Sequence, residues 1–365
     1  MRVAVLGGGH GGYAAAVDLT LRGIEVRLFT FSAARVETLR ENGNKISYSG
    51  VWGEGSCQIA CVTGDMEEAL SAADLVMMNV PGTGHERYLA AMKPYLPPDT
   101  VLYMNPGHTG GVLRAAHILG RGGIAESNTL SYISRKSSET HVHVSSSDKP
   151  VTVGVFPARE TDAVLAVIRR AYPLVVAGRD VLESSLCNIN AMFHPPGVIL
   201  NAGWIEHTGG DFRFYYGGIT PAIGSVIRRV EEERLAVARA YGLALDDFCT
   251  VLYHAGSTTE AAAASGDPYR ACQESEANQF IKAPPSLDHR YMHEDICSGL
   301  LPIAELGRLA GVPTPVTDAH VCMAEALMGR DYRKEGVNLE KMGLEGLSVE
   351  EALTYLHSGT RAPRP

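Results

Sequence analysis

The first half of the chain alternates two hydrophobic signatures. Short apolar runs of strand length cover Val3 to Leu6, Glu25 to Phe29, Leu75 to Val80, Val101 to Met104, Val151 to Phe156 and Leu174 to Val176. Helical patterns lie between them: Ala14 to Leu21, stopped at Gly23; 67–72, opened by the capping pattern Asp65/Glu68; and 163–170. Strand, helix, strand in this order predicts an α/β, Rossmann-type, doubly wound and mostly parallel sheet. Such a sheet binds ligands at the carboxyl ends of its strands.

After about residue 180 the character changes. Helical patterns cover 186–192, 198–205, 223–241, 303–310, 316–328 and 349–356, the last opened by Ser348 with Glu351. Strand signals nearly vanish. The expected organisation is a dinucleotide-binding domain over 1–180 and an all-α C-terminal domain over 181–365. Residues 255–292, rich in Ala, Ser, Gly and Pro, read as an irregular excursion of the kind that is functional or mobile.

Composition narrows the partners. A length of 365 residues suits two domains, and 45% apolar with 20% charged residues excludes disorder across the chain. The net charge is −9 and no Lys/Arg tract is present. That argues against nucleic acid and for a small-molecule or protein partner, while leaving room for a local basic pocket. The seven cysteines are irregularly spaced and complete no zinc pattern, so no metal site is expected and they read as reduced, mostly buried thiols. Glycines and Asp18 interrupt the N-terminal apolar run, which is therefore not read as a signal peptide. Ser184 to Ile205 holds three Asn, a His and a Pro-Pro pair, so no membrane span is expected there. The expected location is cytoplasmic. The uncharged stretches 184–205 and 214–227 suit a subunit face as well as a core, which makes a homodimer one expectation.

The first strand runs into Gly7-Gly8-Gly9-His10-Gly11-Gly12, where Gly7, Gly9 and Gly12 satisfy G-x-G-x-x-G. The first glycine allows the tight turn, the second lets backbone amides approach a pyrophosphate, and the third lets the helix pack on the strand. His10 and Gly11 complete the loop at the helix N-terminus, which favours an anion. The motif alone is weak. The preceding strand and following helix strengthen it. NAD binders place an acidic residue at the end of the second strand, whereas this chain has Thr30, Phe31 and Ser32. Thr30 and Ser32 can bond a ribose 2′-phosphate and Arg35 can pair with it, so NADP(H) is the preferred cofactor, with NAD(H) compatible. The alternative for Arg35 is a solvated helix residue. Pro81 in Val80-Pro81-Gly82, and Asn105 and Gly107 in Asn105-Pro106-Gly107-His108, end later strands and are candidates to line the same crevice. His85 and His108 nearby read as turn or helix-end residues.

Reduction of C=O or C=N with a nicotinamide needs a proton source, and histidine suits that role. A carboxylate on its far ring nitrogen would fix the tautomer. Of thirteen histidines, His194 stands out in Asn188-Ile189-Asn190-Ala191-Met192-Phe193-His194-Pro195-Pro196. The Pro-Pro pair is expected to break the helix at His194 and expose it toward a cleft. Asp295, in Tyr291-Met292-His293-Glu294-Asp295, reads on composition as a helix N-cap.

Together these segments resemble the octopine/nopaline (opine) dehydrogenase family, and within it bacterial N-(1-carboxyethyl)-amino-acid dehydrogenases. The likeness rests on the glycine loop, residues 105–111, 188–195, Gly218-Ile219-Thr220-Pro221, 290–300, Glu305-Leu306-Gly307, Val312-Pro313-Thr314-Pro315 and 331–343. It implies substrate in a cleft between a Rossmann-type and a helical domain. It places the family's catalytic His and Asp on His194 and Asp295. The implied reaction joins an amino acid to a 2-keto acid through an imine, reduced to a secondary amine dicarboxylate. Both substrates carry carboxylates, which makes Arg290 and Arg333 candidate substrate clamps, with ion pairs to Glu294 or Asp331 as the structural alternative. Thr30 departs from the acidic residue of NAD-using relatives. Two rival readings stand beside this one: a ketopantoate-type 2-keto-acid reductase with no amine partner, and a non-catalytic NADP(H)-binding sensor.

Overall fold

A computed structural model describes residues 1–361 and divides the chain into two compact units. Among the described residues the first holds Met1–Ser185 and 354–361; the second holds Leu186–Leu353. The boundary thus lies later than the expected 180/181, and the C-terminal segment leaves the helical unit. Two contacts explain this. Glu126 accepts hydrogen bonds from Ser184 and Ser185, which ties the start of the expected second domain to the first. Tyr355 packs on Phe156 with ring centroids 5.0 Å apart.

The first unit contains twelve strands: β1 (Arg2–Leu6), β2 (Glu25–Phe29), β3 (Lys45–Gly50), β4 (Gly55–Gln58), β5 (Cys61–Thr63), β6 (Leu75–Met78), β7 (Val101–Met104), β8 (Ile124–Ser127), β9 (Ile133–Ser138), β10 (His141–Ser146), β11 (Val151–Phe156) and β12 (Val175–Ala177). Eight form the main sheet in the order β12-β11-β8-β7-β6-β1-β2-β5. All neighbours are parallel except β11 and β8. β6, β7 and β8 are buried along their whole length, as expected of strands covered on both faces. From β1 the chain winds one way to β2 and β5 and the other way to β6, β7 and β8. The reversal of strand order between β1 and β6 is the switch point where such sheets bind ligands.

A second sheet, β4-β3-β10-β9, was not anticipated. β3, β4 and β9 are rich in Ser, Lys and Gly, so their β-propensity is weak, and β10 alternates over only four residues, His141 to Val144. Tertiary packing supplies what sequence does not: Tyr48, Trp52 and Tyr132 stack edge to face at 6.4 and 6.1 Å.

The second unit is helical. Its long helix, Pro221–Ala240, starts at the Thr220 cap and carries the fully buried Arg234. That guanidinium is held by both oxygens of Glu231 at 2.7 and 2.6 Å and by the Asp246 carbonyl at 2.8 Å. The expected excursion at 255–292 contains short helices at Glu260–Ser265 and Pro268–Gln273. The chain's last helix, Val349–Ser358, has the reciprocal Ser348/Glu351 cap.

All seven cysteines are free, but only Cys249, Cys272 and Cys297 are buried; Cys322 is exposed. No helix among the described residues is long and apolar enough to cross a membrane.

Candidate functional site

The cofactor candidates lie in the first unit, at the switch point. Gly7 has φ of +121°, and a Cβ there would sit 2.4 Å from the Asn79 carbonyl that follows β6. A Cβ on Gly12 would sit 1.8 Å from the Gly7 carbonyl. Both positions therefore require glycine. Gly9 is different: it caps the helix His10–Leu21, and nothing lies within 4 Å of its Cβ position. Open space stands beside the N-terminus of a twelve-residue helix with no acidic residue in its first turn. This arrangement fits the pyrophosphate of a dinucleotide. Gly11 faces Leu130 at an ordinary van der Waals distance. His10 accepts a hydrogen bond at Nδ1 from the Lys136 amide, 2.8 Å away.

At the end of β2, the Thr30 Oγ1 accepts from the Ser32 amide at 3.3 Å, and the Ser32 Oγ caps the helix Ala33–Glu41 by accepting from the Arg35 amide. The Gly8 Cβ position lies 2.9 Å from Thr30 Oγ1 and 3.0 Å from Arg35 Nη1. Thr30 and Arg35 thus face the glycine loop. Arg35 is not a solvated helix residue, because Glu139 holds its guanidinium at 2.7 Å.

The later turns contribute support beneath the loop. Pro81 caps the short helical turn Gly82–Gly84. Asn105 is fully buried, donates to Ser131 Oγ at 2.7 Å and to Tyr103 at 3.0 Å, and accepts from Asn79 through its carbonyl. Gly107 answers to Glu126: a Cβ there would lie 1.9 Å from the Glu126 carboxylate. Burial pushes the Glu126 carboxyl up to about 7 against the hydrogen bonds from Ser185 and Ser184.

The proton-handling candidates lie in the second unit. His194 sits on the helix Asn190–Ile199, which runs through Pro195 and Pro196 without the expected break. Burial from Ala191 to Ile199 holds the helix, although the two prolines leave the Ala191 and Met192 carbonyls without their usual partners. His194 is consequently buried rather than displayed at a helix end. Asp295 is the last residue of the helix Arg290–Asp295 and stands at the N-cap position of the π-helical turn Ile296–Leu300, but with helical dihedrals and no side-chain capping bond, so its carboxylate is not spent on a cap.

These two residues, 101 positions apart, meet at 2.8 Å between His194 Nδ1 and Asp295 Oδ2. The side chains are 7% and 4% exposed. With Nδ1–H donating to the carboxylate, Nε2 is the acceptor, and the Tyr215 hydroxyl stands 3.0 Å from it as donor. Burial raises the Tyr215 phenol well above its ordinary range, so it remains a donor. Tyr291 stacks on the imidazole at 3.7 Å and 13°.

Two small residues make this assembly fit. Gly197, three positions after His194, leaves room for Phe214, whose ring would be 2.5 Å from a Cβ there. This brings the π-helical turn Phe214–Gly218, and with it Tyr215, against the histidine. Gly299, in a second π-helical turn that follows Asp295, would clash with Ala191 at 2.4 Å if it carried a Cβ. π-turns of this kind frequently mark functional sites. The sequence reading missed Tyr215; its only signal was the Tyr-Tyr-Gly-Gly run at 215–218.

The expected substrate cations are both ion-paired. Arg290 Nε meets Glu294 at 3.0 Å, and its side chain remains 53% exposed. Arg333 pairs with Asp318 and Glu325 at 3.5 and 3.6 Å, rather than with Asp331. Among the described residues no group of His, Cys, Asp or Glu is placed to hold a metal ion.

A glycine loop that fits a pyrophosphate in one unit and a buried carboxylate–imidazole pair in the other point to a class: the NAD(P)-dependent oxidoreductases with a Rossmann-type domain followed by a helical one. Comparison with known proteins narrows the class. Residues 2–111 match the NAD-dependent glycerol-3-phosphate dehydrogenase N-terminus model, and residues 177–328 match the NAD/NADP octopine/nopaline dehydrogenase alpha-helical domain. An opine dehydrogenase of Arthrobacter sp. (strain 1C) is 34% identical over 351 residues, 95% of this chain and 96% of the relative. The fold matches octopine dehydrogenase solved with NADH and L-arginine (TM-score 0.78, 22% identity, all of both chains). It also matches yersinopine dehydrogenase solved with NADP+ (TM-score 0.71, 13% identity, 98% and 97% of the two chains). The chain belongs to the octopine/nopaline (opine) dehydrogenase family.

Proposed function

We propose that this protein is an NAD(P)H-dependent opine dehydrogenase that joins an amino acid to a 2-keto acid, with His194 and Asp295 as its proton-handling pair. The buried Asp295–His194–Tyr215 chain carries this reading. The amine attacks the keto carbon, water leaves, and an imine forms. The bound reduced cofactor supplies the hydride that converts the imine to a secondary amine dicarboxylate. His194 Nε2 takes a proton from the substrate ammonium, which frees the amine to attack, and returns it as water departs, leaving the imine protonated for the hydride, while Asp295 holds the ring and stabilises its charged form. Tyr215 keeps Nε2 hydrogen-bonded when substrate is absent. Arg290, more than half exposed, is the better-placed of the two cations to take a substrate carboxylate by exchanging Glu294 for it.

Gly7, Gly9, His10, Gly11 and Gly12 would hold the pyrophosphate. Thr30, Ser32 and Arg35 would take a ribose 2′-phosphate, which favours NADP(H) over NAD(H). The lack of a carboxylate at the end of β2 supports this preference.

The test follows NADPH oxidation with pyruvate or another 2-keto acid, with and without a mixture of amino acids. Oxidation that requires the amino acids is the expected result. Oxidation by keto acid alone would replace the proposal with a ketopantoate-type reductase. Cofactor binding without oxidation by any pair would favour a sensor.

A further inference from the structure

Glu139 lies in the turn between β9 and β10, next to the proposed 2′-phosphate site and unassigned by that reading. Its Oε2 accepts from Arg35 Nε and from Lys136 Nζ, each at 2.7 Å, and Oε1 accepts from Arg35 Nη2 at 3.4 Å. The turn is anchored to the first helix, because the Tyr13 hydroxyl donates to the Glu139 carbonyl at 2.9 Å. The Lys136 ammonium lies 4.3 Å from the Tyr13 ring centroid, and that side chain is only 9% exposed. The second sheet therefore delivers a fixed cation and a carboxylate to the side of the glycine loop already occupied by Thr30 and Arg35.

The charges decide how this cluster is read. Two cations face one carboxylate, which leaves one positive charge in excess. A phosphate monoester carries nearly two negative charges and three acceptor oxygens, so it would satisfy both cations. The Glu139 side chain is 46% exposed and sits on a turn, so it can leave by rotating into water, whereas Lys136 is packed in place.

We propose that the Glu139 carboxylate is an internal stand-in for the ribose 2′-phosphate, holding Arg35 and Lys136 until NADP(H) displaces it. Glu139 thereby sets the ratio of NADPH to NADH binding, and Lys136 is a second phosphate ligand. This rests on Thr30, Ser32 and Arg35 being the phosphate site. Hydrogen bonds from Arg35 and Lys136 hold the Glu139 carboxyl down to about 2, so it competes as an anion throughout the neutral range. The opposite role, accepting the ribose hydroxyls of NADH, would share the carboxylate with the two cations and predicts that Glu139→Gln weakens NADH binding.

The experiment titrates NADPH and NADH separately into the full-length protein, without substrate, following nicotinamide fluorescence. Glu139→Gln should tighten NADPH about fivefold, the scale of one partly exposed ion pair, and leave NADH unchanged. Lys136→Gln should weaken NADPH about fivefold and leave NADH unchanged. NADPH affinity unmoved by Glu139→Gln would overturn the proposal. So would a loss of NADH affinity, which would make Glu139 a ribose ligand. Arg35→Gln separates the underlying reading: NADPH affinity unaffected by that change removes the phosphate site itself, whereas an effect there with none at Glu139 removes only the stand-in.

Discussion

Replacing Asp295 with Asn isolates the charge of the buried pair. Asn is nearly isosteric and its amide oxygen can still accept from His194 Nδ1, so the ring stays oriented while the negative charge is lost. The two groups meet at 2.8 Å and both are almost fully buried. For charge centres about 4 Å apart at an effective dielectric near 20, the attraction is about 4 kcal/mol. A charge-assisted hydrogen bond is worth about 1.5–3 kcal/mol, of which a neutral bond returns roughly 1. The imidazolium formed when His194 takes the substrate's proton should therefore be destabilised by about 1–4 kcal/mol. This corresponds to a fall in kcat of roughly five- to a thousandfold. Steady-state oxidation of NADPH with saturating keto acid and amino acid reads the effect. Cofactor affinity and the thermal melt serve as controls. A variant that folds, binds cofactor normally and retains kcat within about threefold of wild type would refute the proposed role of the pair.

Other perturbations test separate parts of the structure. Tyr215→Phe removes the hydroxyl 3.0 Å from His194 Nε2 and should lower kcat about tenfold without changing cofactor affinity, read by the same assay and a fluorescence titration. Gly12→Ala places a methyl 1.8 Å from the Gly7 carbonyl, so NADPH binding should be lost together with several degrees of melting temperature; an unchanged titration would mislocate the cradle. Thr30→Asp should shift preference toward NADH by repelling the 2′-phosphate, and an unchanged ratio of the two affinities would show that the ribose lies elsewhere. Glu126 bears on pH. Its folded carboxyl titrates near 7, raised by burial, against an ordinary value of 4.5. The folded form thus binds the proton more tightly, and the resulting stability, up to about 3 kcal/mol, is present below about pH 4.5 and lost as pH rises through 7. Glu126→Gln should flatten that slope in urea unfolding curves measured from pH 4.5 to 7.5; a slope equal to that of wild type would contradict the assignment.

The linear sequence determined the features that depend on neighbours along the chain. The apolar runs 101–104 and 151–156 coincide with β7 and β11, and the helix Pro315–Met328 starts within a residue of its expected position. Strand–glycine–helix order was enough to place the glycine turn, because a tight turn and close helix packing have local glycine requirements. Segments whose stability comes from elsewhere were not legible. β4 and β9 lack apolar alternation, β10 carries only the pair Val142 and Val144, and the sheet is held by aromatic packing and by the pairing of β3 with β10 across about a hundred residues. The helix through Pro195 and Pro196 opposes local rules and persists because it is buried along its length.

The same division applies to the site. His194 and Asp295 were identifiable as residues, but their 2.8 Å contact joins segments 101 positions apart, and only the packing of Gly197 on Phe214 and Gly299 on Ala191 brings the elements close enough. Tyr215 had almost no local signal, since an aromatic before two glycines is ordinary loop sequence. Glu139 and Lys136 had none, because their meaning depends on a second sheet carrying a turn back to Arg35. Sequence fixes which side chains are available and which local conformations are cheap. Which charges face one another is decided by long-range packing, where the low dielectric of the interior and the close approach of backbones give those contacts their strength.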